Sequence, residues 1–200
     1  LCFLLIKALK LYIKNKSYII VDGIDIYGVG ADTNTSTVDC AAFGSDACRT
    51  ASVLIENGSN NITVKNSTIV NSKYGLFASN TTSNIVYDNL EIYGCESTGA
   101  YNNANGGSVI NSKIHDNGRV VSDSETGGDR GGIGSYQGSG LTISGNELYR
   151  NAEDDSSGDF EISIVSPSSA FTVGNNYVHV CIQGCIQIAE GGNDSIIAHN

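Results

Sequence analysis

One phrase returns along this chain, and it limits the folds that the chain can adopt. It reads apolar, any, apolar, any, Asn or Gly, with another apolar residue three positions later. Copies stand at "IIVDGIDI" 19–26, "ITVKNSTI" 62–69, "IVYDNLEI" 85–92, "GSVINSKI" 107–114, "LTISGNEL" 141–148, "FTVGNNYV" 171–178 and "IIAHN" 196–200. The Asn or Gly position is Gly23, Asn66, Asn89, Asn111, Gly145, Asn175 and Asn200. From Asn66 onward the copies follow at about 22 to 34 residues. The 43-residue step from Gly23 to Asn66 is long enough for two units, and "SVLIENG" at 52–58 is the candidate for the extra one. Alternation with a period of two and no helical pattern makes each unit a set of short strands. Such a unit cannot bury its apolar side alone, so it must stack on its neighbours.

Stacked coils of this kind form an all-β parallel β-helix, a solenoid of about seven to nine coils advancing roughly 4.8 Å each. In that geometry an amide at an inward corner can bond to the amide of the next coil. Asn66, Asn89, Asn111 and Asn175 are therefore expected to form an internal Asn ladder. A β-sandwich with Asn turns would give no reason for one phrase to recur at near-constant spacing. A further strand follows each turn, at 74–79, 98–103, 131–136, 160–165 and 184–190. Leu76, Ala100, Ile133, Ile162 and Ile186 should face inward there, and Phe77, Tyr101, Gly134, Ser163 and Gln187 outward in a row.

Composition agrees with this and restricts function. Among 200 residues Gly is abundant at 24 and Pro scarce at 1, which suits many short strands and tight turns. A net charge of −10, with 11 Lys and Arg residues that form no patch, excludes nucleic acid as a partner. The apolar run in "LCFLLIKALKLYIK" is too short to span a bilayer. Residues 1–8 read as a cap over the end of the array, with 1–200 as one domain. The alternation still running at Asn200 reads as a piece of a longer monomeric chain.

Over residues 9–200 these repeats resemble the right-handed parallel β-helix superfamily, the pectate-lyase-like fold with carbohydrate-binding and sugar-hydrolase repeats. The resemblance implies polysaccharide as partner and leaves activity open, because lyases, glycosidases, epimerases, tailspikes and adhesins share the fold. The paired-aspartate and Gly-His-Gly signatures of polygalacturonase-like hydrolases are absent, as is the Asp-Pro-His signature of alginate epimerases; the single proline, Pro167, lies between serines.

Function should then sit where the repeat is interrupted, at inserted loops 115–140 and 151–161. In a lyase acting on uronic acids, Ca²⁺ would be held by Asp154, Asp155, Asp159 and Glu161, and Arg130 or His115 would remove the C5 proton. Asp129 with Asp154 or Glu161 would be the carboxylate pair of a glycoside hydrolase. Phe77, Tyr101, Tyr136 and Arg119 are expected to contact sugar. Tyr27, Tyr93, His115, Tyr149 and His179 each follow the apolar residue closing the phrase and should project outward, as sugar platforms or as a ladder bracing the coils. The alternative is a non-catalytic adhesin or structural solenoid with a solvated acidic loop.

A Cys40–Cys48 disulfide in "DCAAFGSDACR" would place the protein outside the cell or on its surface. Cys181 and Cys185 could be bridged or reduced. The Asn-X-Ser/Thr sequons, among them Asn57 and Asn66, follow from composition alone.

Overall fold

In a computed structural model, the structure describes residues 10–28, 51–118, 130–151, 159–165, 169–182, 184–189 and 195–200. Every strand pairing is parallel, and each coil contributes three runs. The first run comprises β2 (Ser17–Asp22), the leading half of β5 (Asn60–Val70) and of β7 (Ser83–Tyr93), then β9 (Asn105–Ile110), β12 (Ser139–Ser144), β15 (Thr172–Gly174) and β18 (Ile196–Ala198). The second comprises β3 (Ile26–Tyr27), the trailing halves of β5 and β7, β10 (Lys113–His115), β13 (Glu147–Tyr149) and β16 (Tyr177–His179). These two runs make an 11-stranded sheet. The third run makes a 7-stranded sheet from β1 (Leu11–Lys14), β4 (Ala51–Glu56), β6 (Tyr74–Ala78), β8 (Thr98–Asn102), β11 (Arg130–Ser135), β14 (Asp159–Val165) and β17 (Gly184–Ala189).

Register follows the apolar alternation, because a slip of one residue would turn every core side chain to solvent. Val21, Val64, Tyr87, Val109, Ile143 and Val173 form one inner column. Ile26, Ile69, Ile92, Ile114 and Leu148 form another, all of them buried. In the third run Leu76, Ala100, Ile133, Ile162 and Ile186 align as expected, with Phe77, Tyr101, Gly134, Ser163 and Gln187 in the neighbouring column. Each buried Ile, Leu or Val contributes about 1.5–3 kcal/mol, so the stacked columns carry the stability.

Three expectations about the repeat are corrected. "SVLIENG" does not form an extra copy of the phrase: Ala51–Glu56 is a third-run strand paired with β1 and β6. β2 lies directly on β5, and the Gly23 amide donates to the Lys65 carbonyl at 3.1 Å. The last copy is displaced by one residue: Gly174 pairs with Ala198, so Asn175 corresponds to His199 rather than Asn200.

The ladder also lies elsewhere. Asn66, Asn89 and Asn111 are exposed, with φ of 51°, 51° and 52°. Asn is tolerated in this left-handed conformation, and it turns the chain so that the residue after it points inward. The buried ladder therefore occupies the following position. Asn146 Oδ1 accepts from the Ser112 amide at 2.9 Å, Asn146 Nδ2 donates to Asn176 Oδ1 at 3.0 Å, and Asn176 Nδ2 donates to Asn200 Oδ1 at 2.9 Å.

The next corner repeats the device. Asn71, Gly94, Asp116 and Arg150 take positive φ, and the residues after them, Ser72, Cys95, Asn117 and Asn151, are buried. Asn117 accepts from the Cys95 amide at 3.0 Å and donates to Asn151 Oδ1 at 2.8 Å, and Asn151 donates to Glu161. Glycines make room for this ladder: a Cβ on Gly99 would lie 2.9 Å from Asn117 Nδ2, and one on Gly132 would lie 3.0 Å from Asn151 Nδ2. One rung further, Cys181 and Cys185 form a disulfide. Cys95 is a free buried thiol whose pKa burial pushes up to about 11. Cys2, Cys40 and Cys48, and the proposed cap 1–8, lie outside the described residues.

Candidate functional site

An open groove of about 510 Å³ follows the bend between the first and second runs. One wall is the left-handed column Asn66, Asn89, Asn111 and Gly145, and the other is Thr68, Glu91, Lys113 and Glu147. Between them Ser67, Leu90 and Ser112 turn inward, so their backbone forms the floor. Inner hydrogen bonds hold this floor: the Leu90 amide donates to Ser112 Oγ at 3.1 Å, and the Ser112 hydroxyl donates to the Ile110 carbonyl at 2.7 Å.

The amide wall is ordered. Asn66 Nδ2 donates to Asp22 Oδ1 and Asn89 Nδ2 to Asn66 Oδ1, both at 2.8 Å, and Asn111 Nδ2 donates to Asp88 Oδ1 at 2.9 Å. Each amide thus directs a donor one coil back, and the carbonyl oxygens of Asn66 and Asn111 face the next coil. The Asn66 bond and Lys65 Nζ, 3.2 Å away, hold the Asp22 carboxyl below the usual carboxylate range.

Beside the groove a column of rings leads toward the next corner. Tyr93, His115, Tyr149 and His179 stack with centroids 5.2, 4.9 and 4.9 Å apart. The faces of His115 and Tyr149 are covered by their neighbours, so the column braces the coils and does not offer those faces to a sugar. His115 Nδ1 lies 2.7 Å from Asp116 Oδ2, and its Nε2 lies 3.4 Å from Glu91 Oε1. Partial burial would raise the Asp116 carboxyl, but its bonds to Arg150, at 2.7 Å, and to His115 outweigh that and lower it.

The expected site residues separate. His115, with both ring nitrogens in contact with carboxylates and both faces covered, is placed as a structural element of the column. Glu161 departs from the expected metal set: its side chain is buried and accepts from the Asn151 backbone amide at 3.0 Å and from Asn151 Nδ2. Burial raises its pKa to about 7, against the opposing effect of the Asn151 bonds. Arg119, Asp129, Asp154 and Asp155 lie outside the described residues. Arg130 and Asp159 are register partners at the start of adjacent third-run strands. Since Asn117 and Asn151 are also neighbours, the described residues that flank 119–129 and 152–158, within the expected insertions 115–140 and 151–161, lie on adjacent rungs. Among the described residues no group of three or more His, Cys, Asp or Glu is placed to hold a metal ion.

Of the expected sugar contacts, Phe77 is only 3% exposed and stacks on Tyr101 at 5.4 Å, with the Tyr74 ring edge-on to both. Tyr136 is 44% exposed, its amide held by Asn103 Oδ1 at 2.7 Å. The repeat pattern alone places Asn66, Asn89 and Asn111 in the interior and does not single out Lys113 and Glu147 as groove wall. The pairs Gly145-Asn146 and Asn175-Asn176 carried the missing signal, a residue suited to positive φ followed by the buried amide.

The family model described as "Right handed beta helix region" matches residues 51–200. No curated protein and no solved structure matches the chain. Among the described residues no helix is long and apolar enough to cross a membrane. With parallel pairing of the described strands and a family match over most of its length, the chain belongs to the right-handed β-helix family.

Proposed function

We propose that this chain is a secreted or cell-surface β-helix that binds a polysaccharide along its outer groove, as a monomer. The observation that carries this reading is the open groove itself, whose amide and ionic walls repeat from coil to coil along the axis. Amides and charged groups at a repeating interval suit a polymer with many hydroxyls, since each sugar unit can meet an equivalent set of partners. The Cys181–Cys185 disulfide supports an oxidising location. Titration calorimetry with a panel of neutral, amino and uronic oligosaccharides tests the reading. Binding that Asn89→Ala and Asn111→Ala weaken would support it, and no binding to any member of the panel would overturn it.

Cleavage is a separate proposal and belongs to the edge that carries the insertions. There Ca²⁺ would be held by Asp154, Asp155 and Asp159, and Arg130 would serve as base in a lyase-like step on a uronic acid. The contacts of both His115 nitrogens with carboxylates make Arg130 the preferred base over His115 in this proposal. They also favour the alternative of a binding solenoid without turnover. Following unsaturated-product absorbance on uronate polymers, with Ca²⁺ and with a chelator, decides between them.

A further inference from the structure

We infer that the groove selects glycans bearing protonated amino groups over neutral or uronic-acid polymers, an inference that rests on its reading as a glycan site. The argument begins with the two walls. On the amide wall each side-chain nitrogen already places one N–H on the coil before it, whereas the carbonyl oxygens of Asn89 and Asn111 receive no amide from the coil after. Asn111 donates to Asp88 rather than to Asn89, so the Asn89 carbonyl oxygen receives no amide from the coil above. Gly145, next in the column, has no side chain with which to donate to Asn111, whose Oδ1 lies over it, 3.0 Å from where a Cβ would stand. At Asn89 and Asn111 the wall therefore presents carbonyl oxygens, which call for donors on the ligand.

The facing wall has the same preference. Glu91, Lys113 and Glu147 stand in register on successive coils, so two carboxylates flank one ammonium. Glu91 and Glu147 side chains remain 47% and 41% exposed, and their contacts to His115 and His179 use Oε1. Lys113 Nζ is drawn 5.5 Å from the Tyr149 ring centroid, toward the ring column. The groove thus combines amide acceptors with excess negative charge, on a protein whose net charge is −10. An ammonium-bearing sugar meets both features. A uronate polymer would place like charge against Glu91 and Glu147 and would be repelled by the long-range field.

The experiment is calorimetric titration of the whole chain with glucosamine oligomers, N-acetylglucosamine oligomers of the same length and galacturonate oligomers, at low and high NaCl. The free-amine series should bind tightest and lose affinity as salt rises. Glu147→Gln and Glu91→Gln should each weaken it about two- to fivefold, and Lys113→Gln should strengthen it by a similar factor, while the N-acetylated series barely responds. Unchanged thermal unfolding of each variant ensures that the opposite signs report on the groove. Equal affinity for amine and acetylated oligomers, or preference for the uronate, would overturn the inference and leave the glycan site standing. No binding to any oligomer would overturn the site as well. Polylysine binding more tightly than glucosamine oligomers of matched charge would replace the glycan with a basic polypeptide.

Discussion

Inside the coil stack, Asn146 Nδ2 donates to Asn176 Oδ1 at 3.0 Å and to the Val109 carbonyl at 2.9 Å, while its own Oδ1 accepts from the Ser112 amide. One residue earlier, the left-handed column faces solvent. The two positions should therefore respond differently to substitution. Asn146→Leu strands buried backbone groups that have no access to water, at a cost of about 1–3 kcal/mol. Asn89→Ala, in the exposed column, should cost roughly 1 kcal/mol or less, through the left-handed φ and one exposed bond. Denaturant unfolding of the two variants side by side measures the difference, and equal losses would contradict the placement of the ladder.

Tyr87 lies fully buried in the first-run column between Val64 and Val109, and its hydroxyl has no hydrogen-bond partner among the described residues. Burial pushes its pKa upward. Removing an unsatisfied polar atom without changing the ring should stabilise the fold, so Tyr87→Phe is expected to gain about 1 kcal/mol. A lower melting temperature would indicate that the hydroxyl has a partner, such as an internal water.

Glu161 supplies a pH dependence with a definite sign. Its folded pKa, about 7, lies above the ordinary 4.5, so the fold favours the protonated acid. Its stabilising contribution is complete below about pH 4.5, declines as the unfolded chain ionises first, and levels off above about pH 7. The full amplitude is about 3 kcal/mol. Wild type minus Glu161→Gln in unfolding free energy should fall by an amount of that order between those pH values. A flat difference curve would place the carboxylate in contact with water.

Gly132 has an ordinary φ, so only space constrains it. A Cβ there would meet the Glu161 carbonyl oxygen at 2.5 Å and Leu148 Cδ2 at 2.8 Å. Gly132→Ala should therefore cost about 2 kcal/mol or more, since backbone and core must both shift. At Gly140 the φ is +66° and the nearest atoms lie 3.8 Å away. Gly140→Ala should cost only about 1 kcal/mol, from backbone strain alone. Chemical denaturation of both variants reads the order directly, and the reverse order would show that corner filling does not set the glycine pattern.

The sequence by itself determined the stacking and the register. Alternation with a period of two marks which residues face the core, and a repeat that cannot bury its own face must lie on the next, so Leu76, Ala100 and Ile133 align as their spacing implies. What it could not determine was the direction of the residues at the bends. Apolar alternation says nothing about φ, and at Asn66, Asn89 and Asn111 a left-handed φ turns the amide outward and passes the inward position to Ser67, Leu90 and Ser112. The ambiguity mattered most where polar residues adjoin, at Asn175 and Asn176, because either amide could satisfy the ladder on paper. Only the tertiary structure also decided the use of the polar residues. His115 and Glu161 have the chemistry of a base and a ligand, but stacking against Tyr93 and Tyr149 occupies one and burial against Asn151 occupies the other. Both contacts come from residues distant in sequence that only the coil geometry brings together.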